Sequence, residues 1–245
     1  MARPIVLIHG SPGAPNAWKG VVKALGEGAA TITPGLPDHN QPHPPQRRET
    51  AEMAATIVDG LEPQPEGIVL GAHSYGGNVA LQIALAGKVK IAALVLIEPV
   101  ALAILPPLGE EVAYREAKAL FDSYIAQAHA GQADAVSTMI DFWFGSGAFA
   151  RMPDPVRGFL RNQTQVNARD VEATFREQHT REKLATLSMP VTVAYGTKSP
   201  TVAKLIAERL ASTVKNGKAV ALDGADHGML ATHAPQIAAL IREAM

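Results

Sequence analysis

The stretch Gly67-Ile68-Val69-Leu70-Gly71-Ala72-His73-Ser74-Tyr75-Gly76-Gly77-Asn78-Val79-Ala80-Leu81 constrains the chain more than any other. An apolar run, a serine in a glycine-rich turn and a helix-like pattern follow one another without a spacer. That order predicts a strand, a sharp turn and a helix. The turn places small residues, Ala72 and Gly76, two positions to either side of Ser74. A serine whose backbone is strained so that its hydroxyl projects from a sheet needs such neighbours, because larger ones would collide. An ordinary serine capping a helix would also fit Ser-x-Gly-Gly, so the turn alone does not decide the role of Ser74.

The remainder alternates in the same way. Residues 5–8 form a short β-branched run closed by His9-Gly10-Ser11-Pro12-Gly13, which reads as a buried strand entering a tight loop. Helical spacing of Trp18, Val21, Val22 and Leu25 predicts a helix over 16–25, and a weaker strand follows at 30–34. Residues 35–45 are rich in proline and too polar for a core, and 50–61 reads as a helix. A near-continuous apolar run at 91–97 is what a strand buried on both faces of a parallel sheet requires. From 100 to 187 helix-like segments succeed one another with no convincing strand, broken by Pro106-Pro107, Gly131, Gly145-Ser146-Gly147 and Pro153-Asp154-Pro155. Strands return at 191–195 and 219–222, with helices after each, the last starting near Pro235. The expectation is an α/β fold: a mostly parallel central sheet flanked by helices, formed by 1–99 and 188–245, with an all-helical cap at 100–187.

Bulk properties narrow the function classes. The chain has 245 residues, 47% hydrophobic and 18% charged, enough for one globular domain with a sizeable core. A formal net charge of -1 gives no field to gather nucleic acid or an anionic membrane, so the expected partner is a small molecule. There is no cysteine, hence no disulfide framework, thiolate metal site or cysteine nucleophile. No His/Asp/Glu spacing suggests a metal. No glycine-rich phosphate loop follows the first strand in the required pattern, and the turn from Gly71 to Gly77 lacks the lysine of a nucleotide loop, so no cofactor is expected. The apolar run near the N-terminus is too short for a signal-peptide core and no run is long enough to span a bilayer, which makes the cytosol the expected compartment.

Three signals fall in a fixed order, each at the end of an expected strand: His9-Gly10, Ser74 in Ala72-His73-Ser74-Tyr75-Gly76, and His227 in Asp223-Gly224-Ala225-Asp226-His227-Gly228. Together they resemble the α/β-hydrolase fold superfamily, from Pro4 to about Ala239, with alanine standing where the nucleophile elbow usually has glycine. The resemblance implies that Ser74 is a nucleophile and His227 the base that takes its proton, a role suited to imidazole near neutral pH. It also implies an oxyanion hole built from the backbone N–H groups of Ser11 and Tyr75. His73, before the nucleophile, is expected to pack behind the elbow. His129 and His179 are expected to be surface or structural residues, and His9, His39, His43 and His233 structural or rim residues.

The acid departs from the family's common pattern, since the turn after the 191–195 strand, Gly196-Thr197-Lys198-Ser199, ends in serine where many members have aspartate. Glu98, at the end of the 91–97 strand, occupies a position some members use for the acid, and Asp223 and Asp226 are the alternatives. Phe121, Tyr124, Phe142, Trp143, Phe144, Phe149 and Phe159 crowd the expected cap of a chain only 5% aromatic. Most such rings form helix core, and Trp143 is the candidate to wall the pocket. The expected activity is hydrolysis of an ester-like bond (carboxylic ester, lactone or thioester) in a small apolar substrate through an acyl-enzyme. The alternatives are a catalytically weak ligand-binding relative, or carbon-carbon hydrolase, lyase or cofactor-free perhydrolase chemistry on the same residues.

Overall fold

The computed structural model describes residues 3–39 and 49–245. Its frame is one sheet of six strands: β1 (Ile5–Ile8), β2 (Thr31–Ile32), β3 (Ile68–His73), β4 (Ile91–Ile97), β5 (Val191–Gly196) and β6 (Gly217–Leu222), in the order β2-β1-β3-β4-β5-β6. Every pairing is parallel, and the register sets Ile8 beside Ala72, Ala72 beside Leu96 and Leu96 beside Val193. The carboxyl ends of β1, β3 and β4 therefore finish side by side. The chain crosses from one side of β1 to the other between β2 and β3, which makes the gap above β1 and β3 the topological switch point of the sheet, where open parallel sheets bind ligands.

Helices cover both faces. They run in chain order as α1 (Lys19–Leu25), α2 (Thr50–Asp59), α3 (Tyr75–Ala86), α4 (Glu111–His129), α5 (Val136–Phe144), α6 (Ala148–Arg151), α7 (Asp154–Asn162), α8 (Thr164–Arg176), α9 (Arg181–Ala185), α10 (Thr201–Thr213), α11 (Met229–Thr232) and α12 (Ala234–Glu243). Alternate strand residues divide the core. Ile5, Leu7, Val69 and Val95 pack with Trp18, Val21, Ile237 and Ile241 of the α1 and α12 face. Val6, Ile8, Leu70, Leu94 and Leu96 pack on the opposite face with residues of α2, α3 and α10, in a core that continues into the helices between β4 and β5. The inner strands β1, β3 and β4 are buried on both sides, which is why 91–97 reads as an unbroken apolar run.

The boundaries differ from the sequence expectation where local geometry intervenes. The helix expected over 16–25 opens as a 3-10 turn, Pro15–Trp18, with proline at its start, and becomes α-helical only at Lys19. The strand expected at 30–34 pairs only at Thr31–Ile32, because β2 is an edge strand and Pro34 cannot extend the ladder. The strand expected at 219–222 begins earlier, at Gly217, where a Cβ would lie 1.9 Å from the Ala211 carbonyl oxygen. Residues 40–48, including His43 and most of the proline-rich stretch, lie outside the described residues. The described chain between β4 and β5 is helical or irregular throughout, and α8 lies against α3 and the 3-10 turn that follows β4. Among the described residues no helix is long and apolar enough to cross a membrane.

Candidate active site

Ser74 sits at the junction of β3 and α3 with φ 54° and ψ -129°. This backbone region is sparsely populated by side-chain-bearing residues and costs on the order of 1–3 kcal/mol, so the surroundings must enforce it. They do so by close packing. A Cβ on Gly76 would lie 2.4 Å from the His9 carbonyl oxygen, and one on Gly10 would lie 2.8 Å from the Ser74 Cβ. The sheet ladder also continues beyond the strand, since Ser74 donates its N–H to the Ile97 carbonyl at 3.0 Å.

Glu98 is held the same way, with φ 42° and its N–H donated to the Ala194 carbonyl at 2.8 Å. The positive-φ residues other than glycine among the described residues are Asp38, Ser74 and Glu98. Stored backbone strain is therefore concentrated at the carboxyl end of the sheet.

From the loop after β6, the imidazole of His227 joins these two. Its Nδ1 lies 2.7 Å from Glu98 Oε2 and its Nε2 lies 3.0 Å from Ser74 Oγ. A carboxylate only accepts, so Nδ1 carries the proton and Nε2 presents a lone pair to the Ser74 hydroxyl. The other oxygen of Glu98, Oε1, accepts the Gly196 N–H at 2.6 Å. Burial by itself would raise the Glu98 pKa, but the hydrogen bond and charge of His227, together with the Gly196 N–H, bring it below the usual carboxylate value. The alternatives to Glu98 have other partners: Asp223 accepts from the Thr197 hydroxyl, and Asp226 accepts the Gly228 N–H.

Two more histidines support this cluster in neutral form. His73, tilted against His227 at 4.9 Å between centroids, donates from Nε2 to the His227 carbonyl at 3.0 Å, and burial lowers its pKa to about 3. His9 accepts the Leu36 N–H on Nε2 and donates from Nδ1 to the Gly10 carbonyl, and burial lowers its pKa to about 4. His233 lies apart, bonded to the Asp223 carbonyl. His179 is buried against the Glu177 carboxylate, and His129 is an exposed side chain near Glu172.

Trp143 stacks on the His227 ring with centroids 4.5 Å apart and planes 21° from parallel, and its other neighbours are Phe142 and Phe121. It is thus both part of an aromatic core and a wall of the cavity beside Ser74. Phe159 is exposed, and Phe144 meets His227 edge-on. Tyr75 opens α3, and its N–H belongs to the first turn, where no intrahelical carbonyl is available. Its phenol is buried against Thr50 and Met53, away from that N–H.

A second polar cluster, absent from the sequence reading, holds the loop after β1. Asp170 of α8 is almost fully buried and accepts from four groups: the Ser11 hydroxyl at 2.7 Å, His39 Nε2 at 2.8 Å, and Arg169 Nε and Nη2 at 3.1 and 2.9 Å. Asn167, one helical turn away, donates to the Ser11 carbonyl at 2.9 Å and accepts from the Tyr124 hydroxyl at 2.7 Å. Ser11 is therefore gripped at both hydroxyl and carbonyl. His39, expected to be a structural or rim residue, is an interior structural partner of this carboxylate. Periodicity could not reveal the cluster, because Asn167, Arg169 and Asp170 read as a solvated helix face although every position of 166–170 is buried.

Among the described residues no group of three His, Asp or Glu side chains is placed to hold a metal ion. What the site does contain is a hydroxyl, an imidazole and a carboxylate in a hydrogen-bonded series, ending at the switch point of a parallel sheet. A family model described as "Alpha/beta hydrolase family" matches residues 5–240. The chain belongs to the alpha/beta hydrolase family.

Within the family it is 38% identical over 99 residues to the pimeloyl-[acyl-carrier protein] methyl ester esterase of Aromatoleum aromaticum, an alignment spanning 40% of this chain and 38% of that protein. Solved structures share the fold along the whole chain. A lipase-esterase related protein from Clostridium acetobutylicum superposes with TM-score 0.74 at 15% identity, covering 99% of this chain and 94% of the other. A thermophilic esterase from Thermogutta terrifontis gives 0.70 at 22%, covering 99% and 89%. The enol-lactonase from Burkholderia xenovorans gives 0.72 at 16%, covering 100% and 92%.

Proposed function

We propose that this α/β-hydrolase cleaves a carboxylic ester or related ester-like bond of a small apolar molecule through an acyl-enzyme on Ser74. The observation that carries the reading is the unbroken series from the Ser74 hydroxyl through His227 to the Glu98 carboxylate, with distances of 3.0 and 2.7 Å. Ser74 Oγ attacks the carbonyl carbon as His227 Nε2 takes its proton. The ester C–O bond then breaks and the same proton passes to the departing oxygen. Water, activated by His227, releases the acid from Ser74. Glu98 holds the imidazole in the required tautomer and stabilises its charged form. The N–H groups of Tyr75 and Ser11 receive the developing oxyanion, a contribution of about 3–4 kcal/mol for each donor in comparable sites.

In this reading residues 100–187 act as a cap over Ser74, with Trp143 forming part of the roof, and the protein works on a diffusible substrate in the cytosol. The curated relative is named as a methyl ester esterase, which supports an ester as the reacting bond. A non-catalytic binding role has only the missing aspartate after β5 in its favour. The Glu98 carboxylate, 2.7 Å from His227 Nδ1, supports the catalytic reading instead.

The test is the Ser74→Ala variant. Wild-type protein is expected to hydrolyse short-chain p-nitrophenyl esters and to be labelled by a fluorophosphonate, and the variant to lose both while its circular dichroism and melting temperature are unchanged. Turnover in Ser74→Ala equal to that of the wild type would refute the mechanism.

A further inference from the structure

Ser74 faces two spaces of unlike character. One is a cavity of about 20 Å³ lined by Tyr75, Leu102, Phe121, Trp143, Asn167 and Asp170. That is room for a single water- or methyl-sized group. Its polar walls are already committed, Asp170 to Ser11, His39 and Arg169 and Asn167 to Ser11 and Tyr124, so they leave little for a polar substituent. The other is an open groove of about 300 Å³ between α5 and α7 on one side and α11 on the other, walled by Ile140, Phe144, Leu160 and Leu230. His227 lines the groove and not the cavity, whereas Tyr75 lines the cavity and not the groove.

This asymmetry orients the substrate. The proton taken from Ser74 must be returned by His227 Nε2 to the departing oxygen, so the alcohol half lies on the His227 side. The acyl half lies on the other side, and its substituent enters the cavity. We propose that the protein acts on esters that join an acetyl-sized acyl group to a bulky apolar alcohol. The proposal rests on the acyl-enzyme reading above and adds the direction in which the ester is bound.

Octyl acetate and methyl nonanoate are isomers that place the same apolar chain on opposite sides of the ester. The expected result is a kcat/KM about tenfold or more in favour of octyl acetate, since even one excess methylene costs a confined pocket a factor of that order. Val171→Ala, at the partly buried edge of the cavity, should raise the ratio of octyl butanoate to octyl acetate turnover. Equal rates for the isomers, a preference for methyl nonanoate, or a Val171→Ala ratio identical to that of the wild type would overturn the proposal. Fluorophosphonate labelling of Ser74 separates the levels. A labelled enzyme that prefers methyl nonanoate loses only the direction of binding. An unlabelled protein that cleaves neither ester faster than Ser74→Ala loses the acyl-enzyme reading as well.

Discussion

Gly196 donates its backbone N–H to Oε1 of Glu98 at 2.6 Å, so the last residue of β5 supports a carboxylate carried by the residue after β4. The sheet register makes this contact: Ile97 pairs with Ala194, which brings the residue after β4 beside the end of β5. A Cβ on Gly196 would lie 2.3 Å from the Ala225 carbonyl oxygen, so this end of β5 also packs tightly against the loop that carries His227.

Glu98→Gln should leave substrate binding almost unchanged and lower kcat sharply. The amide can donate as well as accept, so it no longer enforces the Nδ1–H tautomer and cannot balance the imidazolium. Loss of the corresponding acid in a serine protease costs about ten-thousand-fold. Steady-state kinetics on a short p-nitrophenyl ester would measure both parameters, and a kcat within about threefold of wild type would exclude Glu98 as the orienting acid.

Gly76→Ala tests the elbow by sterics alone. The added methyl meets backbone oxygens of Ile8 and His9 at 2.6 and 2.4 Å, groups fixed by the sheet. Relief requires moving β1 or the start of α3, a cost of about 1–3 kcal/mol or more. The melting temperature should fall and esterase activity should fall further, because the displaced loop carries Ser11. A Gly76→Ala variant with wild-type melting and kcat would remove the packing argument.

Asp170→Ala should be costly in a different way. Among the described residues it leaves His39 buried without its carboxylate and the Arg169 guanidinium with only the more distant Asp38, 3.9 Å away, and breaking a buried pair destabilises by about 3–5 kcal/mol. Urea denaturation should show the loss as a lower midpoint. Ser11→Ala removes one donor and no charge, so its midpoint should fall much less.

Acid lability follows from His9 and His73. Both are held neutral, with pKa values of about 4 and 3, whereas the unfolded chain protonates histidine near 6.5. Between these limits the unfolded state binds more protons, so stability falls as the pH falls. The contribution is complete above about pH 6.5 and is lost progressively through pH 4 and towards 3, at up to about 1.4 kcal/mol per pH unit for each histidine. Melting temperatures measured from pH 7 to pH 4 should decline, and His9→Asn should flatten the decline. A parallel slope in that variant would show that His9 is not responsible.

Much of this architecture is legible in the chain. The unbroken apolar run at 91–97 coincides with β4 because both faces of that strand are covered. Small residues flank Ser74 because only small residues fit there, and that steric demand is local enough to leave a pattern. The order of Ser74, Glu98 and His227 after β3, β4 and β6 is likewise visible, and the sheet brings their side chains within hydrogen-bonding distance. Asp170 and Asn167 are not legible. Their partner, Ser11, is more than 150 residues away in the chain, and adjacent charges at Arg169 and Asp170 look like a solvated helix face until tertiary packing buries them together. The role of Gly196 as a donor to Glu98 depends on strand register, which composition does not encode.

The grip of α8 on Ser11 ties access to competence. Asn167 and Asp170 hold a loop at the mouth of the site, so a motion that lifted α8 away from the sheet would carry Ser11 with it or release it. In either case the Ser11 N–H, proposed above as an oxyanion donor, would be displaced. Under that proposal a conformer opened along that edge is an idle one, and productive exchange of substrate and alcohol uses the α5–α7 edge while α8 stays latched. On that proposal the helices over the sheet act as an interlock, in which the same contacts that close one side keep the chemistry switched on.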